Sequence, residues 1–175
     1  MYSIASLFET DVNGPWQQLA GICNASGFSS EAVPHFSWQT AENYRLPEVR
    51  EKLTQLALEF TPFQITTSGL GVFANDHRIL FIIIVKTRLL LEMHERLWRE
   101  LTPYAEGCKQ HYSPQNWIPH ISLNLEKLSD DQFNCSFTEL SQHPLQFDIT
   151  VKRLGLLYML SEASGIDSIY RLGRQ

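Results

Sequence analysis

The chain has 175 residues, of which 43% are apolar and 19% charged, a composition typical of one globular domain spanning residues 1–175. Its 14 Lys and Arg against 19 Asp and Glu give a net charge of −5, which argues against a long nucleic-acid tract held by phosphate neutralisation alone. The most apolar run, residues 79–85, is far shorter than the roughly 20 residues of a membrane-spanning helix.

The first half of the chain predicts a strand, a helix, a second strand, a second helix and a closing pair of strands. Pro15 suits the first turn of a helix, where its missing N–H is harmless. The second helix is expected to end before Pro62, because a residue that precedes proline disfavours helical geometry. The predicted elements are residues 2–8, a helix beginning near residue 13, residues 33–39, a helix from 47 to 60, and residues 63–67 and 70–73.

The second half repeats this order. It opens on a buried strand rich in β-branched residues, and Ser129 with Gln132 forms a capping-box pattern that predicts the start of its last helix. The predicted elements are residues 79–85, a helix over 88–101, a polar loop over 102–116, a strand over 118–125, a helix from residue 130, and strands over 145–152, 154–160 and 166–172.

Because the order of elements repeats, the sequence predicts an α+β fold with two lobes related by a pseudo-twofold axis. Each lobe is expected to hold a mainly antiparallel sheet with helices on the outside. The two sheets would then face each other across a central cleft.

The pattern Pro-His-apolar-Ser occurs once in each half, at residues 34–37 and 119–122, on the strand that follows the first helix. Side chains alternate between the two faces of a strand. His35, Ser37 and Gln39 are therefore predicted to share one face. On the second strand, His120, Ser122 and Asn124 share a face in the same way. Two such strands brought together would form a two-histidine site.

A two-histidine site suits chemistry on a phosphodiester, whose hydrolysis needs a base on one side of phosphorus and an acid on the other. Histidine, with a pKa near 6.5, fills either role near neutral pH. We take His35 and His120 as the candidate catalytic residues, although the near-equivalent halves do not distinguish acid from base. Ser37 and Ser122 are the candidate substrate-binding residues, because they would donate hydrogen bonds to the non-bridging oxygens.

Paired His-x-Ser/Thr motifs on strands, in a chain of this length, resemble the 2H phosphoesterase superfamily. Within it, the chain is most similar to the 2′-5′ RNA ligase/cyclic nucleotide phosphodiesterase group. The tail also resembles the closing strands of that group, through Leu157-Tyr158, Ser161, Gly165 and Tyr170-Arg171-Leu172. The resemblance covers essentially the whole chain.

This resemblance implies a metal-independent phosphodiesterase that hydrolyses a 2′,3′-cyclic phosphate, a related cyclic nucleotide or a 2′-5′ linkage, with reverse 2′-5′ RNA ligation as a further activity. The expected partner is a nucleotide or an RNA-terminal phosphodiester substrate. We expect no cofactor, no metal and no membrane association, and favour a monomer. The cysteines Cys23, Cys108 and Cys135 suggest no disulfide framework, and no secretion signal is predicted, so we expect a cytoplasmic protein.

Several alternatives remain open from the sequence. The protein is either the enzyme described or a non-catalytic nucleotide- or RNA-end-binding module, and an enzyme of this kind would also suit a nucleotide-derived metabolite. The two motif histidines also fit hydrogen-bonded core residues. A metal site requires three or four ligands. Only His111, through its loop, is placed to act as a ligand beside His120.

Other residues have structural readings. We expect His77, His94 and His143 at the surface and Trp38 in the core. Trp117 and Tyr112 are candidates for stacking on a nucleobase. Lys109 and Arg45 lie in loops that would reach a phosphate, but neither belongs to the predicted site.

Overall fold

The computed structural model describes residues 1–8, 34–74, 77–123, 127–160 and 163–173. The strands in these ranges are β1 (Tyr2–Leu7), β2 (His35–Ala41), β3 (Asn43–Tyr44), β4 (Phe63–Phe73), β5 (Ile79–Ile84), β6 (Ala105–Glu106), β7 (His120–Ser122), β8 (Asp148–Val151), β9 (Arg153–Met159) and β10 (Ser164–Arg171). The helices are α1 (Leu46–Glu59), α2 (Arg88–Leu101) and α3 (Asp130–Ser141), with 3₁₀ turns at Thr102–Tyr104 and Gln110–Tyr112. Over the described ranges, none of the helices is long and apolar enough to cross a membrane.

The strands form two main four-stranded sheets whose orders match, and a short ribbon in which β3 pairs with β6. The first sheet has the order β10-β9-β1-β2, and the second has the order β8-β4-β5-β7. All neighbouring strands in both sheets are antiparallel. A pseudo-twofold operation therefore places β1 on β5 and β2 on β7. The predicted α+β fold with two related sheets is confirmed.

Each sheet takes strands from both halves of the chain. β4, which closes the first half, pairs with β5 and β8 in the second sheet. In exchange, β9 and β10 from the second half complete the first sheet beside β1. The two sheets are therefore interleaved along the chain, so neither half of the sequence builds a lobe by itself.

Local sequence signals set the starts of the helices. Ser129 accepts a hydrogen bond from the Gln132 N–H, and the Gln132 side chain accepts one from the Ser129 N–H, which completes the predicted capping box of α3. At the start of α2, the Thr87 hydroxyl accepts a hydrogen bond from the Leu90 N–H. Both helices are confirmed. The helix predicted from near residue 13 lies outside the described residues.

Three details differ from the sequence predictions. The strands predicted over 63–67 and 70–73 are one strand, β4, with a shift of register against β5 between Thr67 and Leu70. Of the strand predicted over 118–125, β7 comprises His120–Ser122, and backbone hydrogen bonds to β5 extend to Pro119 and Leu123 on either side. Cys135 is disulfide-bonded, although the cysteine pattern suggested no disulfide framework. Wide spacing and an odd number of cysteines do not exclude a single pair.

Aromatic rings fill the space between α2 and β2. The centroid of the His94 imidazole lies 3.8 Å from that of the Trp117 ring, and the Trp38 ring lies 5.4 Å from the Trp117 ring. Trp38 is fully buried, as predicted, whereas the prediction that His94 lies at the surface is wrong, since only 1% of it is exposed. The reason is helical geometry, because His94 lies four residues after buried Leu90 and three before buried Leu97.

The other two histidines that were expected at the surface, His77 and His143, are exposed as predicted.

His94 holds its buried position as a neutral imidazole. Its Nε2 lies 3.0 Å from the Trp38 carbonyl oxygen and 3.0 Å from that of Tyr112. Carbonyls only accept, so Nε2 carries the hydrogen and donates to both. Nδ1 is buried without a hydrogen-bond partner among the described residues. Burial lowers the pKa of His94 to about 4, although the two carbonyls favour the proton.

The first prediction is that acid destabilises the protein through His94. The unfolded chain protonates this histidine near pH 6.5, whereas the folded protein does so only near a pKa of about 4. The unfolded state therefore binds the proton first, and the free energy of unfolding falls as the pH drops through this window. The loss attributable to His94 is on the order of 3 kcal/mol. Denaturant unfolding at a series of pH values measures it.

The matched variants are His94→Phe and His143→Gln. We expect His94→Phe to be less stable at neutral pH, because two carbonyls lose their donor, but to lose less stability between pH 6.5 and 4. His143→Gln, at an exposed histidine, should keep the wild-type dependence. If His94→Phe also kept the wild-type dependence of stability on pH, a group other than His94 would cause the loss of stability in acid.

Candidate active site

The two edge strands that carry the His-x-Ser motifs lie against each other. β2 forms one edge of the first sheet, β7 forms one edge of the second, and the two strands are in contact. A hydrogen bond links β2 to the segment that leads into β7, because the Trp117 indole N–H donates to the Ser37 carbonyl oxygen at 3.0 Å. The structure therefore brings the strand of His35 and the strand of His120 together at one junction between the sheets.

His120 is half-buried beside aromatic rings. Its Nδ1 lies 2.6 Å from the Ile118 carbonyl oxygen, so Nδ1 carries the hydrogen and Nε2 keeps its lone pair. The ring meets Phe73 and Phe81 edge-on, with centroids 4.8 and 5.1 Å away. Burial lowers the pKa of His120, the bond to Ile118 opposes this effect, and the nearby charge of His35 lowers the pKa further.

A third imidazole also acts on His120. His111, on the 3₁₀ turn Gln110–Tyr112, lowers the pKa of His120 as His35 does, though by less. Its own pKa is lowered by burial and then by the charge of Lys109. Neighbouring positive charges repel, so both imidazoles disfavour the protonated form of His120. Among the residues that the structure describes, no group of three or more His, Cys, Asp and Glu side chains is placed to hold a metal ion.

A β-bulge at Trp38 determines which side chains lie on the same face of β2 as Ser37. On β1, Ala5 pairs with Ser37 and Ser3 pairs with Thr40, so Trp38 is an extra residue on β2. Ser3 and Ala5 lie two residues apart and share a face, which places Thr40 on the face of Ser37. The prediction that Gln39 shares this face is therefore wrong, since Gln39 pairs with buried Ile4 on the other side.

Hydroxyl groups surround Ser37 in consequence. The Ser3 hydroxyl donates to the Ser37 hydroxyl oxygen at 2.8 Å, and the Thr40 hydroxyl donates to that of Ser3 at 3.1 Å. The Tyr112 phenol forms hydrogen bonds with the side chains of both Thr40 and Ser37. Ser37 is half-buried, whereas Ser3 and Thr40 are buried. This side of the junction is polar, and its hydroxyl groups are hydrogen-bonded to one another.

Aromatic rings accompany Ser122 on the other sheet. Ser122 pairs with Phe81, and Phe81 pairs with Gly71 on β4. The Phe81 ring lies where a side chain at position 71 would be, since a Cβ there would come within 2.4 Å of it. The Phe73 ring stacks on Phe81 at 4.1 Å. The motif strand β2 therefore lies among hydroxyl groups, whereas the equivalent strand β7 lies beside aromatic rings.

The remaining candidates have structural roles. Trp117 is 1% exposed, so it offers no face for a nucleobase. The Lys109 ammonium forms an ion pair with Glu42 at 2.8 Å, and the Arg45 guanidinium donates to the Pro103 carbonyl oxygen at 2.7 Å. Sequence reasoning missed Ser3 and Thr40, because only the bulge brings these two hydroxyls to Ser37.

Two antiparallel sheets that meet along His-x-Ser edge strands are the arrangement expected of a 2H phosphoesterase. A model of the 2′-5′ RNA ligase superfamily matches residues 12–162, a range that includes both motifs. The chain therefore belongs to the 2′-5′ RNA ligase superfamily of 2H phosphoesterases.

Individual relatives are distant in sequence. A protein of Halalkalibacterium halodurans, provisionally named a phosphoesterase, is 24% identical over 135 residues, which cover 77% of this chain and 74% of that protein. Among solved structures, TT0787 of Thermus thermophilus has a TM-score of 0.64 at 15% identity, covering 99% of both chains. Escherichia coli LigT complexed with 3′-AMP has a TM-score of 0.61 at 12% identity, covering 99% of this chain and 98% of LigT. At these identities the structures support the fold alone.

The second prediction concerns the pKa of His120, measured by following the imidazole carbon-bound protons in an NMR titration. We expect this histidine to titrate below the ordinary pKa of 6.5. Phe73→Ala opens the edge of its pocket, so water reaches the ring and the pKa should rise towards the ordinary value. Phe137→Ala, at an exposed phenylalanine of α3, is the matched control and should leave it unchanged. An ordinary pKa in the wild type would contradict the prediction.

Proposed function

We propose that the protein is a metal-independent phosphodiesterase that acts on a 2′,3′-cyclic phosphate, a related cyclic nucleotide or a 2′-5′ linkage. The observation that carries the proposal is the junction of β2 and β7, where the charge of His35 reaches His120. Membership of a phosphoesterase superfamily supports the reaction class. LigT, which has the same fold, binds 3′-AMP in its solved complex, and this favours a nucleotide as the substrate here.

In the proposed mechanism His120 is the general base and His35 the general acid. Nε2 of neutral His120 takes a proton from water as the water oxygen bonds to phosphorus. The bond from phosphorus to the ribose oxygen breaks, and protonated His35 gives its proton to that leaving oxygen. Both histidines then exchange protons with solvent to regain their starting states. In the reverse direction the roles exchange, which would permit 2′-5′ ligation.

Two features favour His120 as the base. Its hydrogen bond to Ile118 leaves the lone pair on Nε2, and its apolar surroundings disfavour the protonated form before substrate binds. Ser37 and Ser122 would donate hydrogen bonds to the non-bridging oxygens, whose negative charge grows in the transition state.

The alternative is a nucleotide- or RNA-end-binding module without catalysis. Both functions use the same junction, and both predict binding of a phosphate. Turnover separates them, so the deciding experiment supplies a panel of 2′,3′-cyclic nucleotides, short RNAs with 2′,3′-cyclic ends and 2′-5′-linked dinucleotides. The position of the phosphate in each product then identifies the bond that breaks.

The third prediction concerns the two histidines and metal. On the best substrate of that panel, His35→Ala and His120→Ala should each lower kcat/KM by about 10²–10⁴-fold, the usual effect of losing one acid or base. Ser37→Ala and Ser122→Ala should each cost at most about 10²–10³-fold. His143→Ala removes an exposed histidine and should leave the rate unchanged. Activity should survive exhaustive treatment with a chelator.

Two results would contradict this mechanism. Loss of activity on chelation that a divalent ion restores would show that the reaction needs a metal. Binding of the panel without turnover, in protein shown to be folded, would favour the binding module.

The fourth prediction concerns substrate size and follows from the net charge of −5. Each phosphate contacted through Lys or Arg steepens the logarithmic dependence of binding on salt by nearly one unit. The proposed site offers contacts for one phosphodiester, so the slope for a fluorescent oligonucleotide should be no steeper than about −2. A slope typical of six or more contacts, or efficient cleavage inside long RNA, would be inconsistent with a terminal substrate.

A further inference from the structure

The face of the first sheet that carries His35 and Ser37, here called the motif face, continues to the far edge of the sheet. Residues directly opposite each other on neighbouring antiparallel strands share a face. Ser37 pairs with Ala5 on β1. Ala5 pairs in turn with Gly155 on β9, and Gly155 pairs with Ile169 on the edge strand β10. The motif face therefore includes Ile169 and the position two residues further along β10.

Two arginines occupy directly opposite positions on the motif face. Arg171 lies two residues after Ile169 on β10, and it pairs with Arg153 on β9. Like charges in directly opposite positions destabilise a sheet. His35 holds the equivalent position on β2, three strand spacings, or about 14 Å, from Arg171. Three groups that can carry positive charge therefore stand on one row across the sheet.

Among the residues that the structure describes, no carboxylate forms an ion pair with either member of this arginine pair. The other described arginines all have an acidic partner, namely Arg45, Arg50, Arg78, Arg88, Arg96 and Arg99. The four strands of the first sheet contain a single acidic residue, Asp167, and it pairs with Arg50 on α1. In a chain with a net charge of −5, the motif face is thus an unneutralised basic surface.

The two arginines differ in their freedom. Arg153 is half-buried, and its guanidinium donates a hydrogen bond to the Phe8 carbonyl oxygen at 2.7 Å. Its buried Nε has no hydrogen-bond partner in the described part of the chain. Arg171 is exposed, and neighbouring Ile169 is 47% exposed on the same face. An exposed guanidinium beside an exposed apolar side chain suits a nucleotide, which offers a phosphate next to a sugar and a base.

We propose that Arg171, with Arg153 opposite it, binds a second phosphate of the substrate, one nucleotide away from the phosphate at His35 and His120. The inference rests on the proposed function, and it makes an RNA end of two or more nucleotides a better substrate than a mononucleotide. An anion between the two guanidinium groups offsets their repulsion, and arginine donates two parallel hydrogen bonds to a phosphate. Ile169, on the row of Ser37, would contact the nucleoside between the two phosphates.

The test compares two ligands by NMR titration, 3′-AMP with one phosphate and the dinucleotide ApAp with a 3′-terminal phosphate and one internal phosphodiester. The wild type should bind ApAp about tenfold more tightly. Arg171→Gln should weaken ApAp binding about tenfold, as the loss of a charged hydrogen bond does, and 3′-AMP binding less than twofold. The logarithmic salt slope for ApAp, which stays within about −2 in the wild type, should become shallower by about 0.7. Arg171→Lys keeps the charge and should keep the slope.

Stability separates binding from a structural role. Because Arg171→Gln removes the repulsion with Arg153, it should raise the melting temperature of the ligand-free protein by about 1–3 °C. The matched control is Arg99→Gln, which makes the same change in net charge at an exposed arginine of α2. Arg99→Gln should bind both ligands as the wild type does.

Every other outcome is decisive as well. Equal wild-type affinity for the two ligands, equal losses for both in Arg171→Gln, an equal loss in Arg99→Gln or a lower melting temperature of Arg171→Gln would overturn the second-phosphate site. Binding with the expected preference, but without turnover of any diester, would overturn the proposed enzyme and leave that site standing. Turnover of cyclic nucleotides without any preference for ApAp would do the reverse. Failure of the folded wild type to bind either ligand would overturn both.

Discussion

The hydrogen bonds of one buried imidazole hold the two sides of the site together. His94 shares its single N–H between the carbonyls of Trp38 on β2 and Tyr112 in the segment that leads to β7. The Trp117 ring stacks on His94 and donates to the Ser37 carbonyl oxygen. The alignment of the two motif strands therefore depends on a histidine that must stay neutral, because its second nitrogen is buried among rings and has no bonding partner in the described part of the chain.

The pseudo-twofold symmetry that relates the two sheets does not extend to the side chains at their junction. Ser37 lies among hydroxyls that a bulge brings together, whereas His120 and Ser122 lie beside the rings of Phe73 and Phe81. Acid and base catalysis by two identical side chains requires that their protonation states differ. Under the proposed mechanism, the apolar side supplies the neutral histidine and the polar side orients the phosphate. Under this mechanism the duplicated motif supplies the two histidines, and their different surroundings make one of them the base and the other the acid.

The sequence predicts well what depends on neighbours along the chain. Helix ends follow from capping residues such as Ser129, and the motif strands follow from alternation and from the repeated Pro-His-apolar-Ser pattern. It fails where the outcome depends on a pairing partner. The bulge at Trp38 exists only against β1, and it replaces Gln39 by Thr40 beside Ser37. The burial of His94 follows from its helical spacing from Leu90 and Leu97, whereas its two carbonyl partners depend on which strand α2 covers.

The exchange of strands between the halves explains how two edge strands hold a fixed spacing. Edge strands are the least constrained parts of a sheet, and two separate lobes that met only at their edges would rock against each other. Here β4 completes the second sheet, β9 and β10 complete the first, and α2 from the second half packs on β2 of the first sheet. Moving one sheet relative to the other would strain the chain connections that cross between them, and it would disturb the packing of α2 on β2 and the bonds of His94. Proton transfer on both sides of one phosphorus needs such fixed spacing, because a displacement of about 1 Å in a reacting group can cost a hundredfold in rate.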